Sequence, residues 1–375
     1  MTITFITATD STTVTVNDSS HGALVGDFVT FANADTSNAT LNAQLDNEFE
    51  IQTVPTTNTY TITLASNAAA ALSSAGSANA DYQLNIGINT VVPGNGWGAG
   101  TWGADGWGEG SSETAGTGGT LRLWSQDNFG EDLIFNQRDG FVFYWDKTLG
   151  TTSRAKNLIE LSDAAPTKSR KVIVSERDRH VICFGANPIG QSEQDRLLIR
   201  FSSQENPFLW TPTATNTAGD LRIGSGSEIV TAVKTRREMI VLTDTSVFSM
   251  QFIGPPFTFG ISQLASNITV RGFNGAVAVG DAVFWMGYDR FYIYDGRVQV
   301  LPCSVRDHVF QDFNETQSDK VYAGVNSAFG EVFWFYPSQT NALSNSGTGE
   351  NDKYVVYNYD QKIWYVGSLA RSSWI

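Results

Sequence analysis

Apolar residues in this chain come in short runs of four or five, broken by turn residues and rarely at helical spacing. Beyond residue 120 five units recur, and each opens on such a run. The runs are Asp132-Leu133-Ile134-Phe135, Val172-Ile173-Val174, Ile229 to Val233, Ala276 to Val279 and Val321 to Val325. Counted from Glu131, Lys171, Glu228, Gly275 and Lys320, the steps are 40, 57, 47 and 45 residues. A period of about 40–50 residues with four strand-like runs per unit predicts the blades of a β-propeller. A lone blade cannot bury both its faces, so the blades must stack on one another.

The second runs are Phe141 to Asp146, His180 to Gly185, Glu238 to Thr243, Val283 to Gly287 and Val332 to Tyr336. They are almost continuously apolar, as strands covered on both faces must be. Third runs are Leu197 to Phe201, Val247 to Phe252, Phe291 to Asp295 and Tyr354 to Tyr359. Fourth runs are Phe208-Leu209-Trp210, Arg297 to Val300 and Lys362 to Val366. One stretch in this part, Ser304 to Phe313, has helical spacing.

Residues 1–86 differ in character. Thr, Ser, Asn and Ala dominate, and Thr12 to Val16 and Tyr60 to Leu64 alternate cleanly. Gly26-Asp27 marks a turn into Phe28-Val29-Thr30-Phe31, and Glu48 to Val54 ends at Pro55. The expectation is a small antiparallel β-barrel or sandwich of about five strands. Ala68 to Leu72 reads equally as a helical turn or a loop.

Residues 87–120 form a glycine-rich linker with Trp97, Trp102 and Trp107 spaced by five. Flexibility alone does not need tryptophan. The rings are read as packing onto the propeller or another subunit, with glycine allowing close approach. A plain spacer and a sugar-stacking platform are the alternatives. Residues 121–375 are then the propeller domain. The expected fold is all-β, a β-propeller of about five recognisable blades with a small N-terminal β-domain.

Hydrophobic residues are 41% and aromatics 12% of 375 residues, enough for a large core. The net charge of −14 argues against a surface that grips phosphate, but not against DNA sliding past a repelling wall. Cys183 and Cys303 are too few for a disulfide framework and read as small buried hydrophobes. Residues 1–20 lack the pattern of a secretory signal, and no apolar stretch reaches the length of a membrane helix, so membrane insertion is not expected.

The chemistry-bearing residues are scattered. His21, His180 and His308 fall in three segments without metal-ligand spacing. There is no Gly-x-Ser-x-Gly elbow, no Cys-x-x-Cys and no phosphate-cradling loop. Asp127, Glu131, Asp132, Asp244, Asp281, Asp289 and Asp295 fall mostly in turns, where backbone hydrogen bonding explains them. Ser125 to Gly130 resembles the aspartate box of sialidase propellers, but its glycine arrives one residue late and the motif does not recur. Trp145-Asp146 is a single Trp-Asp pair without the partners of a WD repeat. No catalytic residue, cofactor site or metal site is expected. Arg170, Lys171, Arg177, Arg179, Lys234, Arg236 and Arg237 lie at strand ends and turns. They read as solvated hairpin tips, with contacts to carboxylates of another subunit as the alternative.

Several stretches in a fixed order resemble one family. They are Gly96 to Gly108, Leu123 to Leu133 with Phe143-Tyr144-Trp145-Asp146, Phe201 to Pro207 with Trp210-Thr211-Pro212, Gly254-Pro255-Pro256, Phe291 to Gly296 and Tyr354 to Tyr359. Together they are similar to the tail nozzle, or tail tubular, proteins of short-tailed bacteriophages. His21 to Phe31 resembles a small β-domain inserted in them. The resemblance implies a non-enzymatic virion structural protein, assembled in the host cytoplasm. It implies a homohexameric ring on a β-propeller, below the portal and adaptor and beside tail fibre proteins. Double-stranded DNA would leave through the lumen without specific binding. Family members carry further blades before the inserted domain and strands after it. Here the ring is expected either to be completed by another chain or to belong to a fragment or reduced version, which leaves the blade count open. The alternatives are a glycan-binding or glycan-cleaving propeller and a scaffold or adhesion module. In both glycan readings Trp97, Trp102 and Trp107 would carry sugar stacking.

Overall fold

The computed structural model describes residues 3–19, 21–23, 25–83, 121–151, 153, 155–175, 177–254, 257–342 and 349–374. It divides into two compact units, residues 1–87 and 88–375.

The first unit is a two-sheet β-structure. One sheet has the order Thr53–Thr56, Thr59–Thr63, Thr13–Asn17, Thr4–Thr7, Leu72–Ala75, and the other Glu48–Glu50, Phe28–Asp35, Ser77–Gln83. Alternation sets which residues turn inward. Phe5, Val14, Val16, Val29, Phe31, Tyr60 and Ile62 form the core, and their strand neighbours face solvent. A short helix not expected from the sequence, Ala39–Leu45, adds Leu41 and Leu45 to that core. The Asn38 side chain caps it by accepting from the Leu41 N–H. Glu48 to Val54 is two strands rather than one. The Ala68 to Leu72 stretch is not helical, and Leu72 opens a strand.

Among its described residues the second unit is nearly all-β and propeller-like, with five four-stranded antiparallel sheets in simple meander order. Sheet one runs Trp124–Phe129, Asp132–Gln137, Val142–Trp145, Lys156–Asn157. Sheet two runs Lys171–Val174, Val181–Phe184, Leu198–Phe201, Gly219–Arg222. Sheet three runs Ile229–Lys234, Met239–Thr243, Ser246–Gly254, Thr258–Ser266. Sheet four runs Ala276–Val279, Ala282–Met286, Phe291–Tyr294, Val298–Leu301. Sheet five runs Tyr322–Asn326, Glu331–Tyr336, Lys353–Asn358, Ile363–Ser368. A helix at Arg306–Gln311 links sheets four and five.

Three expectations are corrected. Sheet one opens at Trp124, so the run at Asp132 is its second strand, not its first. The polar Ser125-Gln126-Asp127-Asn128 hid a strand whose side chains bond the neighbouring sheet. In sheet two the fourth strand is Gly219–Arg222, not Phe208-Leu209-Trp210. Trp210 lies in a turn, buried, with its indole N–H donated to the Pro207 carbonyl at 2.8 Å. Sheet three has a fourth strand, Thr258–Ser266, whose mixed polarity concealed it.

The second strands of sheets two, three and four each serve two interfaces. Val181 and Cys183 face sheet one, while Ile182 and Phe184 face sheet three. Ile240 and Leu242 face sheet four, and Val241 faces sheet two. This two-sided burial is why these runs are unbroken in the sequence. Trp285 and Trp334 are fully buried in the third-to-fourth and fourth-to-fifth interfaces. Burying each contributes roughly 1.5–3 kcal/mol or more. Among the described residues, sheets five and one share no such core. The Arg138–Asp319 ion pair, 2.8 Å long, links the turn after the second strand of sheet one to the segment that precedes sheet five.

The first strands gather at a hub and run in one sense. The Val172 N–H donates to Ser125 Oγ at 2.9 Å and the Val174 N–H to Asp127 Oδ2 at 2.8 Å. Lys171 Nζ reaches Thr231 Oγ1 at 2.9 Å, and the Ala323 N–H reaches the Asn274 carbonyl at 2.7 Å. Gly275 is obligatory beside the hub, since a Cβ there would lie 1.9 Å from the Arg271 carbonyl oxygen.

Candidate functional site

Because the first strands run in one sense, their turns to the second strands share one end of the sheets with the third-to-fourth turns. That end carries most of the basic residues singled out in the sequence. The structure splits that group. Arg170 and Lys171 belong to the other end. Arg170 is buried and bound to Glu228 at 2.9 Å. Lys171 lies over the Phe273 ring at 5.0 Å, and burial pushes its ammonium down to about 8.

Arg177, Lys234, Arg236 and Arg237 come together at the turn end around a cleft of about 680 Å³ between sheets two and three. Phe252, half-buried, is the apolar side chain at its floor, over the buried Met250 and Phe259. Phe252 and Phe259 stand opposite each other on neighbouring strands. Arg177, Lys234, Arg236 and Arg237 share the lining with two carboxylates, Asp178 and Glu238. Arg177 and Arg237 are 79% and 82% exposed, and Arg237 touches Asp281 at 3.2 Å. Arg236 makes no ion pair among the described residues. Arg179 stands apart from the rim, its guanidinium 5.5 Å from the Phe129 ring. An apolar floor with a guanidinium rim suits a partner that offers an apolar group among carboxylates.

A second cavity, of about 750 Å³, opens at the other end of the first strands. Trp124, Gln126, Asn274, Tyr322 and Asn351 are among its lining residues. Trp124 is 41% exposed and leans on Phe135 and Phe143, with ring centroids 5.8 and 6.3 Å away. In the sequence Trp124 lacks a strand signal, because the polar Ser125-Gln126-Asp127-Asn128 follows it.

The remaining candidates are dispersed. His21 meets Tyr60 edge-on at 4.9 Å in the first unit. His180 is sealed beneath Phe201, Phe252 and Phe259, with Nε2 3.1 Å from Thr217 Oγ1. Burial pushes its imidazole down to about 4. His308 is exposed on the linking helix. Among the described residues no three His, Cys, Asp or Glu side chains are placed to hold a metal ion. Cys183 is buried, Cys303 is partly buried, and both are free thiols. Asp127, in the segment resembling an aspartate box, is bound into the hub. Trp97, Trp102 and Trp107 lie outside the described residues. No helix is long and apolar enough to cross a membrane, among the residues described.

No family model matches the chain, and no curated protein does. Loose likenesses to solved structures exist. Phage phi92 endosialidase is 11% identical, with a TM-score of 0.25 over 90% of this chain and 46% of that one. The chain therefore spans less than half the length of that protein. The computationally designed Ika8 protein is 10% identical, with a TM-score of 0.37 over 68% of this chain and 63% of that one. A functionally unknown protein from Desulfotomaculum acetoxidans is 9% identical, with a TM-score of 0.37 over 98% of this chain and 84% of that one. Superpositions this loose assign no activity to the chain.

Proposed function

We propose that the chain is a non-enzymatic structural subunit of a short-tailed phage tail, a nozzle protein whose copies form a ring beneath the portal and adaptor. The observation that carries this reading is the turn end of the second unit. There an arginine-rimmed cleft with an apolar floor stands at the same end as Phe257 and Phe329, which are 72% and 68% exposed. Apolar side chains left in water beside cations favour contact with another protein. A subunit with net charge −14 repels DNA, which suits a conduit that must release it. Three of the buried or half-buried titratable residues have structural work. Asp127 joins three strands, His180 lies under three rings, and Glu238 accepts from Tyr294 at 2.5 Å. Immunogold labelling of virions with antibody to this chain tests the reading. Label at the tail supports it, and label confined to the capsid or absent from virions overturns it.

Trp124 favours a second reading, glycan recognition. A half-exposed indole at the mouth of a cavity lined by Gln126, Asn274 and Asn351 offers one stacking face and several amides. Loss of glycan-array binding in Trp124→Ala would support that reading, and an array to which the unaltered chain does not bind removes it.

A further inference from the structure

The charge of this chain is divided unevenly. Residues 1–87 contain eight carboxylates and no lysine or arginine. Through residue 121 there are eleven carboxylates and still no such cation, so residues 122–375 hold all 24 cations and the remaining 38 − 11 = 27 acids. The first 121 residues thus supply −11 of the net −14. No lysine or arginine of the first unit can neutralise its own carboxylates.

Strand register collects three of these carboxylates. Phe28 pairs with Glu50, and Thr30 pairs with both Glu48 and Asp81. Directly paired residues share a face of the sheet, with Cβ atoms about 4.5–5.5 Å apart. Val29 and Phe49, between them in sequence, turn into the core. The outer face of the three-stranded sheet therefore presents Glu48, Glu50 and Asp81 around Phe28, which is 40% exposed. Like charges gathered on one sheet face repel one another, and an opposing cationic surface would remove that cost. An apolar ring among carboxylates is the chemical complement of the exposed Arg177, Arg236 and Arg237, which line the cleft on the second unit together with the half-buried Phe252.

We propose that the Phe28 face of one copy docks in the arginine-rimmed cleft of a second copy. This deepens the ring reading and rests on it. Such an interface is head-to-tail, because two different patches meet, and repetition of it generates a ring when the rotation closes. Long-range attraction between an acidic unit and a basic rim orients the encounter, and it weakens with salt as exposed charges do. Phe28 on the apolar floor supplies contact that salt does not screen.

The test is sedimentation velocity on the full chain and on two charge-reversal variants, Glu48→Arg/Glu50→Arg and Arg236→Glu/Arg237→Glu. All four positions are exposed, so both variants should keep the unaltered circular dichroism spectrum and melting temperature. Each variant alone should self-associate at least about tenfold more weakly than the unaltered chain. An equimolar mixture of the two should recover association, because reversed acids then face reversed arginines. Oligomers that persist unchanged in both variants, or a mixture that does not recover, would overturn this interface while leaving the ring reading in place. An unaltered chain that stays monomeric at low salt and high concentration would overturn both.

Discussion

Lys234 of sheet three reaches past sheet two to bind Asp127 of sheet one, Nζ to Oδ2 at 3.0 Å. The same Oδ2 accepts the Val174 N–H of the intervening strand at 2.8 Å. One carboxylate therefore joins the first strands of three sheets. The sequence pattern predicts a turn aspartate at this position, and the structure places it in a strand instead. Its place at the hub gives it a structural role. Asp127→Ala takes one acceptor from the Lys234 ammonium and another from the Val174 N–H, which should cost about 1–3 kcal/mol. Chemical denaturation checks it. In a double-mutant cycle with Lys234→Met the two losses should fall short of adding, and strict additivity would mean that the pair is not coupled.

Gly324 and Trp374 form a second dependence between distant positions. The Trp374 indole lies 5.2 Å from the Phe333 ring and donates to the Val325 carbonyl at 3.2 Å. A Cβ on Gly324 would stand 2.5 Å from that indole. Gly324→Ala should therefore expel Trp374 and uncover the aromatic face of sheet five. Trp374→Ala should cost about 1–3 kcal/mol, and Gly324→Ala should reproduce most of that loss. The double variant should be little worse than either. Thermal melts measure the losses, and chymotrypsin sensitivity near the C-terminus reports the freed segment.

His180 should make stability fall in mild acid. Its ring is fully buried, and burial holds the folded pKa at about 4, below the unfolded 6.5. The unfolded chain takes up the proton first. Stability from this residue is therefore intact above pH 6.5 and declines as pH falls toward 4, by up to about 3 kcal/mol in all. Urea denaturation across pH 4–7 measures the slope. His180→Asn should flatten the upper part of that window, where carboxylates titrate little. An unchanged slope would show that other groups set it.

Cys183 reports on the packing of sheets one and two. Burial pushes its thiol up to about 12, and that of Cys303 up to about 11. Neither should form appreciable thiolate at pH 8, so a thiol-directed chromophore should label the folded chain slowly and the denatured chain twice. Rapid labelling of Cys183 in the folded protein would contradict a close fit between those sheets.

The sequence exposed the fold where burial was two-sided. Ile182, Val241, Trp285 and Trp334 sit in unbroken apolar runs because each neighbours a covered face, and such runs locate strands without ambiguity. Strands bound through polar side chains were hidden. Trp124–Phe129 carries serine, glutamine, aspartate and asparagine, and Thr258–Ser266 threonine, serine and glutamine, in place of an apolar pattern. Trp210 misled in the opposite sense, since an aromatic buried in a turn looks like a strand residue. The arginine rim was visible as a cluster, but Arg170 and Arg236 are on opposite ends of one body, which only the strand directions reveal. The acidic face around Phe28 had a plain signal, the lack of any lysine or arginine before Arg122. Total charge conceals it, because one figure averages two unlike parts.

Mass photometry of the full-length chain at moderate salt is the most direct test of a ring-forming subunit. The ring reading predicts a discrete species near six times 40.8 kDa, about 245 kDa, in equilibrium with the single chain. A single population at 40.8 kDa across the accessible concentrations would contradict it.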